Sequence, residues 1–338
     1  MKTTQIRLAA RPVGEPTDSD FDFATEELPA LQDGQVLLRT VYLSLDPYMR
    51  GRMSAARSYA KPVEVGEVMV GGTVCEVVES RAQSRTAGDL VLAYTGWQTH
   101  AVADARHTRR LDPASAPVST ALGVLGMPGF TAYAGLLEVG RPQPGETMVV
   151  AAATGPVGSA VGQIARVKGA HAVGIAGGPK KCQALTEEFG FDAAVDHRSP
   201  TFSDDLQAAT PDGVDVYFEN VGGPVTEAVV HRLNKFARIP VCGLVANYNA
   251  TEAPAGPDRL PGFMSRVLTL SLTIRGFIQS EFEPTLTEAF QRDMTAWVRE
   301  GRVRYREDVV EGLENTPEAF RGMLVGRNFG KLLVKVGE

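Results

Sequence analysis

Gly155 and Gly158 stand three residues apart inside the stretch TMVVAAATGPVG at 147–158. Residues 147–153 before them are apolar and partly β-branched, the composition of a strand covered on both faces. After them, 159–168 carries Ala160, Val161, Ile164, Ala165 and Val167 at helical spacing. A strand, a tight turn and a helix start in that order can hold an anion. One glycine lets the backbone approach a pyrophosphate, the next lets the helix pack closely, and the helix N-terminus attracts negative charge. Ala153 stands where the first glycine of such a fingerprint usually falls. With a second strand at 172–176, the stretch reads as a nucleotide site; a packing turn of an ordinary α/β protein is the alternative.

The end of that second strand tells the dinucleotides apart. An NAD site places Asp or Glu about 20 residues past the glycines to hold the ribose 2′-hydroxyl. Here the strand runs out in Ile175-Ala176-Gly177-Gly178 with no acid, and Lys180 and Lys181 open the next helix. A cation there neutralises a 2′-phosphate, so the expected cofactor is NADPH/NADP, with Lys181 on the phosphate and Lys180 solvated.

The rest of the composition excludes several classes. A net charge of −6 gives no global basic field for nucleic acid or a membrane surface. Residues 1–31 lack a charged-then-apolar leader, and no apolar run is long enough to span a bilayer, so a cytoplasmic protein is expected. Three scattered cysteines, Cys75, Cys182 and Cys242, suit neither a disulfide framework nor a zinc knuckle, and the five histidines form no ligand pair, so no metal is expected.

The elements that must carry the site divide by texture. Over roughly 1–120, short strands at 6–8, 35–45, 67–79, 89–93 and 99–102 are separated by Gly, Pro and Asp, with an acidic, turn-rich piece at 15–27. Residues 119–137 read as a helix interrupted at 127–129. Beyond Gly145, strands (147–153, 172–176, 193–196, 213–219, 237–245) alternate with helices (159–168, 180–189, 225–233), which demands a doubly wound parallel sheet. A further strand at 269–278, an amphipathic helix at 285–300 and a β-like tail at 305–310 and 331–336 complete the chain. The fold class expected is α/β.

This order of parts resembles the medium-chain dehydrogenase/reductase superfamily. The motifs LSLDPYMRGRM (43–53), GEVMVGG (66–72), GMPGFTAY (126–133), AATGPVGS (152–159), EFGFDAAVDHRS (188–199), ENVGG (219–223) and RNFGKLLVKV (327–336) are similar to its zinc-independent branch. That branch holds the leukotriene B4 dehydrogenase/prostaglandin reductases, plant alkenal reductases and bacterial curcumin reductases, and the bacterial members are the nearest in AGGPKKC and LTIRGF. The resemblance implies a GroES-like domain (1–126 with 301–338) around a Rossmann domain (127–300). It also implies a homodimer whose sheets join near 239–245.

The resemblance further implies a site, residue by residue. Gly155, Pro156, Val157, Gly158 and Ser159 hold the pyrophosphate, and Lys181 the 2′-phosphate, where His197 replaces a family tyrosine. Asn220, the segment Cys242, Gly243, Leu244 to Tyr248, the stretch Phe277, Ile278, Gln279, and Asn328 line the rest of the dinucleotide. Tyr48, Met49, Tyr59 and Met127 face a small-molecule enone or enal. Thr269 replaces a tyrosine of plant and animal members, so no proton-donor role transfers to it. The implied reaction delivers a hydride to the β-carbon of the conjugated double bond. A hydrogen-bond donor must meet the developing enolate oxygen: the cofactor ribose hydroxyl can serve, with Tyr248 or Tyr59 as the protein candidates. A quinone reductase on the same scaffold and a non-catalytic NADPH-binding protein remain as rivals.

Overall fold

The computed structural model describes residues 1–253 and 256–337. The chain separates into two compact units, Met1–Gly123 with Glu307–Glu338, and Val124–Arg306.

The first unit is antiparallel in the main. Its central strand, Gln35–Ser44, pairs with Thr73–Ser80, with His100–Asp104 and with Lys331–Lys335. Glu307–Glu311 adds in parallel outside Lys331–Lys335, so both tail strands belong to this sheet. Residues 15–27 are more than a turn. Phe21–Glu27 is a strand paired with Lys2–Leu8, and only its first residue is buried, which is why its sequence looks like an acidic loop. The core beside this pair is built on Trp97, which stacks on Phe21 (5.6 Å) and meets Phe320 edge-on (5.5 Å).

The second unit holds six strands, all parallel, in the spatial order Ala193–Asp196, His171–Ala176, Thr147–Val150, Val214–Phe218, Leu233–Val241, Thr273–Gly276. Numbered along the chain within this unit, that is 3-2-1-4-5-6, the order of a Rossmann sheet, with a dinucleotide crevice where the order reverses. The four residues of strand Thr147–Val150 are all buried, as their apolar run requires.

Three sequence expectations are corrected here. Met127-Pro128-Gly129 does not interrupt a helix; it begins one, Met127–Ala134, with Pro128 in the first turn where its missing N–H costs nothing. Residues 269–278 are not one strand: Thr269 closes the helix Leu260–Thr269, Ser271 turns at φ 52°, and only Thr273–Gly276 is extended. The segment around Ile239 cannot join two sheets, because Leu233–Val241 is paired on both sides and Thr273–Gly276 is the outer strand. The Pro- and Gly-rich loop 250–263, on whose shape the size of a substrate pocket is expected to depend, includes residues 254–255, which lie outside the described residues.

Candidate dinucleotide site

The strand Thr147–Val150 ends in a turn whose shape is made by backbone. Ala152 takes φ 51°, Gly155 donates its N–H to the Ala152 carbonyl (3.0 Å), and the helix Pro156–Val167 starts at once with proline in its first turn. Gly158 is the close-packing glycine: a Cβ there would stand 2.7 Å from the Ala153 Cα and press on the Ala152 carbonyl. Ala153 is accommodated by the neighbouring strand. Gly174 leaves room that a Cβ would take, 2.9 Å from the Ala153 Cβ. The glycine missing from the turn is thus offset by one in the next strand. Gly155, Pro156 and Val157 are half-buried and Gly158 and Ser159 buried, so the helix start is open at its tip and dry at its base.

Strand Val214–Phe218 runs into Glu219 and Asn220. The Asn220 side-chain N–H donates to the Ala151 carbonyl at 2.9 Å, which ties this strand end to the glycine turn. Glu219, unassigned from the sequence, is 2% exposed and forms no ion pair among the described residues. Its carboxylate instead accepts from the backbone N–H of Val221 (2.6 Å) and Gly222 (2.9 Å), the Tyr217 hydroxyl (3.0 Å) and the Thr226 hydroxyl, and so shapes the loop that presents Asn220. The N–H groups of Cys242 and Gly243 donate back to the Glu219 carbonyl at 2.9 and 3.2 Å. Enclosure of the Cys242 thiol, with Glu219 nearby, pushes its pKa up to about 12, so it is inert as a nucleophile. Leu244 is partly exposed and borders Gly222. Tyr248 is half-buried, and its hydroxyl lies 3.3 Å from where a Cβ on Gly243 would be. Asn220, Gly243 and Tyr248 therefore meet at one strand end.

Phe277 is buried edge-on against Phe218 (6.1 Å) and over Gly135, where a Cβ would have no room. Ile278 and Gln279 follow it half-buried. Met127 is half-buried at the start of its helix, its sulfur 3.5 Å from the Thr131 hydroxyl.

The end of strand His171–Ala176 is built from side chains instead. Lys181 sits in the first turn of helix Pro179–Glu187. The adjacent strand, Ala193–Asp196, brings His197 to the same place, because Asp196 pairs with Ala176. Partial desolvation of the otherwise exposed ring and the neighbouring Arg198 lower the His197 pKa, with Lys181 adding to the effect, so this imidazole is neutral at pH 7.

In the first unit, Tyr48 opens the short helix Tyr48–Arg52. Behind it, Lys331, nearly fully buried, donates to the Leu45 carbonyl (2.6 Å) and the Asp46 carboxylate (2.8 Å) and so anchors the segment that leads into Tyr48. Burial, with Asp46 and Tyr94 close by, pushes the Tyr48 phenol far up, so it stays protonated. Met49 is wholly buried within the core. Tyr59 is 61% exposed, and the Arg52 guanidinium lies 5.8 Å from its ring and 5.9 Å from that of Tyr48. Asn328 donates to the Gly330 carbonyl (2.9 Å) and lines a cavity of about 340 Å³ with Asp308 and Arg327. Among the described residues no three His, Cys, Asp or Glu side chains come together to hold a metal.

Comparison with known proteins adds to this geometry. Residues 4–111 match the family described as N-terminal domain of oxidoreductase, and 156–296 match the family described as zinc-binding dehydrogenase. The NADPH-dependent curcumin reductase of Escherichia coli K12 is 52% identical over 329 residues, 97% of this chain and 95% of that protein. Prostaglandin reductase 1 of Sus scrofa is 41% identical over 327 residues, 96% of each chain. A crystal structure of CurA in complex with NADPH from Vibrio vulnificus superposes with a TM-score of 0.95 at 50% identity, covering 99% of both chains.

Proposed function

Because the chain belongs to the zinc-independent curcumin reductase/prostaglandin reductase branch of the medium-chain dehydrogenases/reductases, we propose that it uses NADPH to reduce the carbon–carbon double bond of an α,β-unsaturated carbonyl. The observation that carries the reading is a pair of neighbouring strand ends, the first of them at the reversal of the Rossmann order: a glycine turn on that one, and on the next Lys181 with no acid on the strand. Their backbone and cation fit a dinucleotide that bears a 2′-phosphate. Bound there, NADPH would supply the hydride for the β-carbon of the substrate, and the resulting enolate takes its proton at the α-carbon from water.

The chain's own residues then have distinct tasks. The helix start at 155–159 holds the pyrophosphate, and Lys181 with His197 the 2′-phosphate. Asn220, the segment Cys242–Tyr248, the stretch Phe277–Gln279, and Asn328 line the remainder, and Phe277 and the inert Cys242 thiol keep their side dry. Tyr248, whose hydroxyl stands over Gly243, donates to the substrate carbonyl oxygen as negative charge develops, a bond worth about 3 kcal/mol in a dry site. The family resemblance makes Tyr59 the second candidate donor and Tyr48, Met49 and Met127 the candidate substrate residues; Tyr48 packs on the core that holds Met49.

The test is NADPH oxidation with a long-chain alkenal, a bulky aryl enone and a quinone, NADH being run in parallel. Fast turnover of an enone with NADPH and slow turnover with NADH is expected. Turnover of the quinone alone would overturn the reaction, and NADPH binding without consumption by any acceptor would reduce the protein to a cofactor binder.

A homodimer and a cytoplasmic location are part of the same reading. All four residues of the outer strand Thr273–Gly276 are exposed. Leu260, Met264 and Leu268 line one face of the preceding helix at 60%, 53% and 80% exposure, an unpaired edge beside an apolar stripe that a second copy would cover. No helix of the described residues is long and apolar enough to cross a membrane. Light scattering should give a dimer mass for the native chain and a monomer for Leu268→Glu with Ile274→Lys; a dimer in both would place the interface elsewhere.

A further inference from the structure

The proposed 2′-phosphate site contains a cation that the sequence motifs leave unassigned. Arg198 lies two residues past the end of strand Ala193–Asp196, whose last residue is paired with Ala176. This register brings the arginine back to Gly177, the first residue after strand His171–Ala176. A Cβ on Gly177 would stand 2.9 Å from the Arg198 Nε, 3.1 Å from its Cζ and 2.9 Å from the His197 Nε2. The guanidinium and the imidazole are thus folded over a glycine that has no side chain to exclude them. Among the described residues, the Arg198 side chain makes no hydrogen bond or ion pair.

The one acid on these strand ends is already committed. Asp196 accepts the backbone N–H of Gly178 (2.8 Å) and of Arg198 (2.9 Å) through one carboxylate oxygen. Burial alone would raise its pKa. Those two N–H groups, with His197 and Arg198 nearby, hold it below the usual carboxylate range. The carboxylate therefore ties the loop together and fixes the arginine backbone beside the glycine pair. A fork of guanidinium donors, together with the ammonium of Lys181 in the first turn of the helix Pro179–Glu187 and near His197, suits a dianion with three free oxygens.

We propose that Arg198 is a second ligand of the 2′-phosphate and sets the preference for NADPH over NADH together with Lys181. The assignment rests on the cofactor reading above. Lys181 supplies a point charge; Arg198 supplies a directed pair of N–H donors, and Gly177 is the gap that lets it lie flat.

The experiment measures equilibrium binding of NADPH, NADH and 2′,5′-ADP by calorimetry, without turnover. The proteins are the native chain, Arg198→Ala, Arg198→Lys and Lys181→Ala, each first shown to melt at the native temperature. Arg198→Ala should weaken NADPH and 2′,5′-ADP by roughly 10- to 100-fold and leave NADH unchanged. Arg198→Lys should recover only part of the loss, because the charge returns without the fork. If Arg198→Ala leaves NADPH binding intact while Lys181→Ala abolishes discrimination, the assignment of Arg198 is wrong and the cofactor reading stands. If Arg198→Ala weakens NADPH and NADH alike, the arginine shapes the loop and does not touch the phosphate. If the native chain binds NADH as tightly as NADPH, both the cofactor reading and this assignment fall.

Discussion

Strands Thr147–Val150 and His171–Ala176 lie side by side in parallel, Val150 opposite Gly174, yet their carboxyl ends follow opposite plans. The first end is dry. Ala151, Ala153, Gly158 and Ser159 are buried, and the turn proposed to hold the pyrophosphate offers backbone alone. The second end is wet. Lys180, His197 and Arg198 are exposed, and what this end offers a ligand is charge on flexible side chains. On the proposed function, backbone shape serves the part common to every dinucleotide and tolerates no added atom. Side-chain charge then serves the one phosphate that differs, and changes there leave the fold alone.

The sharpest way to break that contrast is Gly158→Ala. The new Cβ meets the backbone of Ala152 and Ala153, which cannot step aside. A cost of about 1–3 kcal/mol is expected, together with loss of NADPH and NADH binding alike. Thermal melting and fluorescence titration would read both, and native values would show that the turn has slack.

Gly174→Ala probes the exchange of glycines between the two strands. Its Cβ would crowd the Ala153 Cβ (2.9 Å), Leu185 (2.8 Å) and Phe191 (3.0 Å), for about 1–3 kcal/mol of lost stability. Adding Ala153→Gly should return about 0.5–1 kcal/mol of it, since one of the three clashes goes. Strict additivity in denaturant melts would mean that the two positions are independent.

Dryness has its own signature. Enclosure, with Glu219 nearby, pushes the Cys242 thiol from its ordinary value of 9.0 up to about 12. A raised folded pKa contributes stability that is intact below pH 9 and is lost as pH climbs toward 12, about 1 kcal/mol by pH 10. Between pH 8 and 10 the native protein should therefore lose more stability than Cys242→Ala; parallel curves would show a hydrated thiol.

The smallest structural effect belongs to the wet end. In Gly177→Ala the new Cβ meets only the tips of His197 and Arg198, which can swing into solvent. Stability should move by less than about 0.5 kcal/mol, while the ratio of NADH to NADPH dissociation constants falls several-fold. A large drop in melting temperature with selectivity unchanged would reverse the reading of this end.

Much of the site was legible because its signals are local. The glycine spacing, the proline that opens the helix and the missing acid after Ile175 each depend on a few neighbouring residues. The alternation of apolar strands and amphipathic helices announced the α/β class for the same reason. Legibility failed where pairing, not pattern, was the signal. Phe21–Glu27 shows no alternation, since only Phe21 is buried, and it is a strand because Lys2–Leu8 lies beside it. Glu219 reads as one acid among many until its four neutral donors are seen around it.

By itself, then, the sequence determined the turn, the class of fold, the family and the sign of charge expected beside the second strand. These follow from backbone freedom at glycine, side-chain periodicity and composition. Only the tertiary structure decided which strand is the outer one, that Gly174 makes room for Ala153, and that Arg198 returns to Gly177 from a strand that ends 20 residues beyond Ala176. Strand order and register set those neighbours. They are fixed by the packing of whole faces against one another, which no local spacing encodes.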